Sequence, residues 1–109
     1  MRFNHVANRL EVQHFETVVD LLVTQLGFVP LRRTERSIWL RQPGANIDLQ
    51  FSRSETVHRD TDKLRSQIAF LDDHPRAALE RLADWLSARG IEASVGSYSD
   101  REFYLEVRS

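Results

Sequence analysis

The chain has 109 residues, 41% of them hydrophobic and 28% charged, with a formal net charge of −1. That is the composition of one soluble globular domain long enough for its own core, with no global field to draw it toward nucleic acid or a membrane. It has no cysteine, which excludes disulfides, thiolate metal sites and cysteine nucleophiles and fits a cytoplasmic location.

The opening Met1-Arg2-Phe3-Asn4-His5 lacks the apolar run of a signal peptide. No later stretch approaches the roughly 18 apolar residues of a membrane span. Residues 2–10 read as a strand carrying Phe3, Val6, Ala7 and Leu10. Residues 13–26 read as a helix, because Phe15, Val18, Val19, Leu22 and Leu26 recur at the spacing of one buried face. Gly27 follows as the left-handed stop. Three strands come next: Phe28 to Arg33, Ser37 to Arg41, and Asn46 to Ser52 after the Pro43-Gly44 turn. In the last of these Ile47, Leu49 and Phe51 alternate with Asp48, Gln50 and Ser52.

From Arg53 to Asp62 the sequence is polar and charged, the signature of a linker. Residues 64–71 read as a new strand. Asp73-His74-Pro75 then starts a second helix, whose buried stripe is Leu79, Leu82, Ala83 and Leu86 and whose stop is Gly90. Ile91 to Val95 and Glu102 to Val107 complete the strand candidates.

The order of elements is thus stated twice. His5 to Gln67 is an offset of 62 residues, Gly27 to Gly90 is 63, and Ile38 to Phe103 is 65. Matching Glu106 to Asp48 instead would need an offset of 58. The spacing favours Phe103 to Val107 as counterpart of the Trp39 strand, leaving the second copy one strand short. A shortened loop that makes it counterpart of the Asp48 strand stays open, because loops absorb deletions at small cost. The expected fold is α+β: two βαβββ-type modules in one domain, residues 2–53 and 64–109, joined by a linker at 54–63. Repetition of this kind places a cleft between modules.

Four features together carry a family resemblance. They are His5-Val6-Ala7 opening the first strand, the helix ending Leu26-Gly27-Phe28, the strand Asn46-Ile47-Asp48-Leu49-Gln50-Phe51, and the half-repeat itself. On these the chain resembles the vicinal-oxygen-chelate superfamily of glyoxalases, bleomycin-resistance proteins and extradiol dioxygenases. The resemblance implies paired modules whose sheets form an open, barrel-like cleft. In the enzymes a divalent metal sits there and chelates substrate oxygens. The matching ligand positions are His5 and Asp48 in the first module, Gln67 and, on the final-strand alignment, Glu106 in the second. His5 and Glu106 agree with family usage. Asp48 is a methylene shorter than the usual glutamate, and Gln67 replaces a common histidine. Such a donor set would take Zn, Ni, Mn or Fe(II). Read from the residues alone, His5 is a hydrogen-bonded strand residue and Asp48 points to water.

His14 and His74 stand at helix starts and His58 in the linker, none with a ligand-spaced partner. No nucleophile elbow or phosphate loop is present. Arg32, Arg33, Arg36 and Arg41 cluster around Trp39, and Ser37, Trp39 and Arg41 share one strand face. Such a face suits an aromatic or anionic ligand, or is simply a solvated edge. Tyr104 stands in the equivalent alternation between Glu102 and Glu106, which would set it opposite Trp39. Trp85 reads as core or as a dimer contact.

Trp39, Arg41 and Tyr104 are therefore the expected ligand-binding residues. The leading function is small-molecule binding in the inter-module cleft, of the bleomycin-resistance type, without a complete metal site. A metal-dependent lyase, isomerase or dioxygenase and an inactive interaction module are the alternatives. A truncated second module would expose a sheet edge near Phe103 to Val107. The expected assembly is therefore a twofold homodimer, touching through the Trp39 and Tyr104 strands or the short strands beside them.

Overall fold

A computed structural model describes residues 5–55 and 68–108. Two compact units make up the chain, Met1–Ser66 and Gln67–Ser109.

In the first unit β1 (His5–Glu11) leads into helix α1 (Phe15–Asp20), and the chain returns as β2 (Val29–Arg33), β3 (Ser37–Arg41) and β4 (Asp48–Ser54). This is the βαβββ order expected. The sheet runs β1-β4-β3-β2, with β1 parallel to β4 and the other neighbours antiparallel. Alternate residues of a strand point to opposite faces. On one face Leu10, Ile38, Leu40, Leu49 and Phe51 are buried, as are Phe15, Val18, Val19, Leu21 and Leu22 of the helical segment. Burying a side chain of this size contributes about 1.5–3 kcal/mol each. The other face carries Asp48, Gln50 and Ser52 of β4 and Ser37, Trp39 and Arg41 of β3.

The helix departs from its expected span of 13–26. It is α-helical only through Asp20 and then widens into a π-helical turn, Leu21–Gln25. Within it Thr24 Oγ1 donates to the Asp20 carbonyl at 2.6 Å, a local bond of the kind that bends helices. The closing bond, from the Phe28 amide to the Leu22 carbonyl at 2.9 Å, spans six residues. The extra residue in the turn brings Leu21 inside beside Leu22 and leaves Leu26 only half-buried. Gly27 ends the segment at φ +70°. Glu16 on α1 accepts from Arg33 of β2 and from Arg53 of β4, the latter at 2.6 Å. The Arg53 guanidinium also lies over the Phe15 ring, 4.6 Å from its centroid. The helix is thus tied to one face, and the polar residues line the other.

In the second unit α2 (Pro75–Ser87) is followed by an antiparallel hairpin, β5 (Ala93–Ser97) and β6 (Phe103–Val107). Before α2 the Asp72 carboxylate accepts the amide of the N-cap residue His74 at 2.7 Å, a local turn that leads into the helix, while the His74 side chain makes no capping bond. At the other end Gly90 sits at φ +81°, and the Ile91 amide donates to the Leu86 carbonyl at 3.0 Å. This closing pattern is usually sealed by an apolar pair, and Leu86 and Ile91 are 0% and 1% exposed. Of the expected stripe, Ala83 and Leu86 are buried, whereas Leu79 and Leu82 are half-buried.

The strand expected at 64–71 is corrected in part. Residues 64–67 lie outside the described residues, and residues 68–71 are exposed and form no strand. Among the described residues the second unit therefore has one helix and two strands. Neither sheet closes into a barrel.

Candidate functional site

The polar face of the first sheet is built in rows across the strands. His5 lies in register with Asp48, and Asp48 faces Arg41, which in turn pairs with Val29. The next row is Ala7, Gln50, Trp39 and Arg32; the third holds Arg9, Ser52 and Ser37. Each side chain arrives there by strand alternation. The β3–β4 connection at the Pro43-Gly44 turn sets the register, with Gly44 at φ +87°.

The centre of the first row is an ion pair. Arg41 Nε donates to Asp48 Oδ1 at 2.6 Å. Asp48 is buried, with 8% of its surface exposed, while the Arg41 side chain is 43% exposed. The pair therefore joins a sequestered carboxylate to a guanidinium that still reaches solvent. One row away, Trp39 is half-buried and the Arg32 guanidinium lies 4.9 Å from its ring centroid. Ser37 and Ser52 share a hydroxyl hydrogen bond of 2.8 Å in the third row. The face combines a flat aromatic surface, the guanidinium groups of Arg9, Arg32 and Arg41, the His5 imidazole and neutral hydroxyl and amide groups. It can stack a planar group and donate charge-assisted hydrogen bonds.

Of the residues singled out from the sequence, the structure brings His5, Asp48, Arg41 and Trp39 onto one face. Gln67 lies outside the described residues, as does His58. Glu106 and Tyr104 belong to the second unit. Glu106 is half exposed and pairs with Arg108 at 3.3 Å. The Tyr104 ring lies across Gly96, its cross-strand partner, and against Tyr98 with centroids 4.7 Å apart. Trp85 is half-buried beneath Arg89, whose guanidinium is 3.7 Å from the ring centroid. His14 and His74 occupy N-cap positions, as expected, without side-chain capping bonds.

Contributors not singled out for this face are Arg9, Gln50 and Ser52, and the pairing of Arg41 with Asp48. The signal for that pairing lay in the sequence. Equal steps outward from the loop at 42–47 bring 41 against 48, once the hairpin is accepted.

The donor set can be tested against a metal ion. Among the described residues, no three His, Asp or Glu side chains form a group that could hold one. Asp48, the carboxylate at a family ligand position, already accepts from Arg41. A divalent cation there would meet a positive guanidinium within hydrogen-bonding distance of the same oxygen, and the two repel. The described side chains, as arranged, do not fit a resident metal.

No protein-family model matches the chain, and no curated protein does. Solved structures do. One is "a possible Glyoxalase from Bacillus cereus", with TM-score 0.62 and 15% identity over 98% of this chain and 90% of that one. A second is the bleomycin-binding protein of bleomycin-producing Streptomyces verticillus complexed with copper(II)-bleomycin, with TM-score 0.54 and 24% identity over 96% and 88%. A third is an integron cassette protein from the mobile metagenome of the Halifax Harbour sewage outfall, with TM-score 0.53 and 16% identity over 95% and 87%. At these identities the likeness is one of fold. The chain has the glyoxalase-like fold of these structures, the fold of the vicinal-oxygen-chelate proteins. Among the described residues no helix is long and apolar enough to cross a membrane.

Proposed function

We propose that the chain is a small-molecule-binding protein of the bleomycin-resistance type, a single two-module domain holding its ligand on the polar face of the first sheet without a resident metal. The observation that supports this most is the Arg41–Asp48 pair beside half-buried Trp39. A face turned away from the helix, with an aromatic platform beside the partly exposed Arg41 guanidinium, is what ligand recognition needs. The bleomycin-binding protein of the same fold lends the reading a precedent.

A second reading, a metal-dependent lyase, isomerase or dioxygenase, draws on one observation: His5 and Asp48 are register partners on adjacent strands. Elemental analysis of protein purified without a histidine tag separates the two. Metal-free protein is expected, with Trp39 emission in a Trp85→Phe background responding to ligands and His5→Ala leaving that response in place. One equivalent of metal, lost in His5→Ala, would replace this reading by the second.

A further inference from the structure

We infer that Arg41 is the cation of this site: its guanidinium, positioned by Asp48, binds a carboxylate of the ligand directly, with the ligand's planar body against Trp39. The inference rests on the small-molecule reading above and narrows it to one class, planar aromatic carboxylates.

The geometry divides the work between three side chains. A guanidinium has five N–H donors in a fixed fork. Asp48 Oδ1 takes the one on Nε at 2.6 Å. That bond fixes the plane of the fork and leaves the two Nη groups, on a side chain 43% exposed, directed elsewhere. Two parallel Nη–H donors match the two oxygens of a carboxylate. Asp48 is thus a positioning residue, acting through Arg41. Its burial serves that role, because a carboxylate shielded from water orients its partner more strongly than an exposed one. Trp39 lies one row away on the adjacent position of the same face, within the span of a single aromatic acid. Arg32 over the indole adds a second positive charge. Counting Asp48, Arg41 and Arg32, this part of the face carries an excess of one positive charge, which selects an anion over a cation of the same shape.

The experiment uses the full chain and three probes of one shape and different charge: benzoate, benzamide and benzylamine. Nitrogen–proton correlation spectra follow the Arg41 Nε–H signal, assigned by its loss in Arg41→Gln, and the Trp39 indole N–H. Benzoate is expected to shift both, and to bind at least about tenfold more tightly than benzamide or benzylamine, the usual difference for a charge-assisted pair. In Arg41→Gln the preference for benzoate is expected to vanish while the Trp39 signal still responds. Asp48→Asn, which keeps an acceptor for Nε, is expected to hold most of the preference. Asp48→Ala is expected to lose it, a pattern that mere folding stability would not produce. Zinc chloride is expected to leave both signals in place.

Equal binding of the three probes at Trp39 would overturn the inference and leave the small-molecule reading standing. So would a benzoate preference that survives Arg41→Gln. Zinc binding that shifts both signals and competes with benzoate would overturn it too. No response of this face to any probe would overturn the inference and the reading together.

Discussion

Two cross-strand positions show how single residues set the character of each unit. At Gly96 a Cβ would come within 2.1 Å of Tyr104 Cζ, because the tyrosine ring lies across the glycine on the neighbouring strand. An aromatic over a strand glycine replaces the packing that a missing side chain cannot provide. Gly96→Ala must therefore push the ring aside and disturb its contact with Tyr98. A loss of about 1–3 kcal/mol is expected from such overpacking. Urea unfolding of the single variant and of Gly96→Ala with Tyr104→Ala tests this. The second change should remove most of the added penalty, and additive losses would mean the ring does not hold Gly96 to its size. At Asp48 the logic is electrostatic. The carboxylate is buried, and its partner cannot be deleted without leaving a charge unsatisfied. The sequence pointed to both Asp48 and Arg41, yet for different tasks, one as metal ligand and one as ligand contact. Only the pairing across β3 and β4 merges those tasks.

At the scale of elements, the two helices end in related ways that differ by one residue. In the second unit the amide after the stop glycine reaches back five positions, from Ile91 to Leu86; in the first it reaches back six, from Phe28 to Leu22. The π-helical turn at Leu21–Gln25 holds the additional residue. Hydrophobic periodicity located both helices and both glycine stops, since those depend on local spacing. It assumes 3.6 residues per turn, so it put Leu26 in the core and passed over Leu21. Strand edges moved for a similar reason. Asn46 and Ile47 belong to the turn, and pairing with β1 extends β4 to Ser54. The burial pattern ranks substitutions within each stripe. Leu22, 5% exposed, and Leu86, 0% exposed, should each cost about 2–5 kcal/mol on change to alanine. Leu26→Ala and Leu79→Ala, at half-buried positions, should cost distinctly less. Thermal or denaturant unfolding of the four variants checks the ranking; a loss under about half a kcal/mol at Leu22 would remove the π-helical turn from the core.

Assembly belongs to the whole molecule, and the sheet edges decide where it can occur. Pairing through the Trp39 strand is not available to the backbone, because β3 has β4 on one side and β2 on the other. The outer strand β2 is a guarded edge: it carries Pro30, a register shift between Pro30 and Arg32, and the charges of Arg32 and Arg33. Proline, irregular register and charge are the devices that keep an edge from pairing. With Glu106 the one charged residue in its strands, the hairpin of β5 and β6 has neither a proline nor a register shift. Among the described residues it is a two-stranded sheet with an outer edge on each strand, and its strands are Ala93–Ser97 and Phe103–Val107. Isolated two-stranded sheets are marginal in water and gain from a further strand or a packed face. We therefore expect a twofold homodimer formed through this hairpin, in which each copy extends the other's short sheet. Light scattering at micromolar concentration should give twice the 12.7 kDa of one chain. Charged substitutions at Leu105 and Val107 should shift that mass toward the monomer, whereas a charged substitution at Leu31 on β2 should not. A monomeric mass for the unaltered chain at that concentration would sink the proposal, and so would dimers that respond to Leu31 and ignore the hairpin.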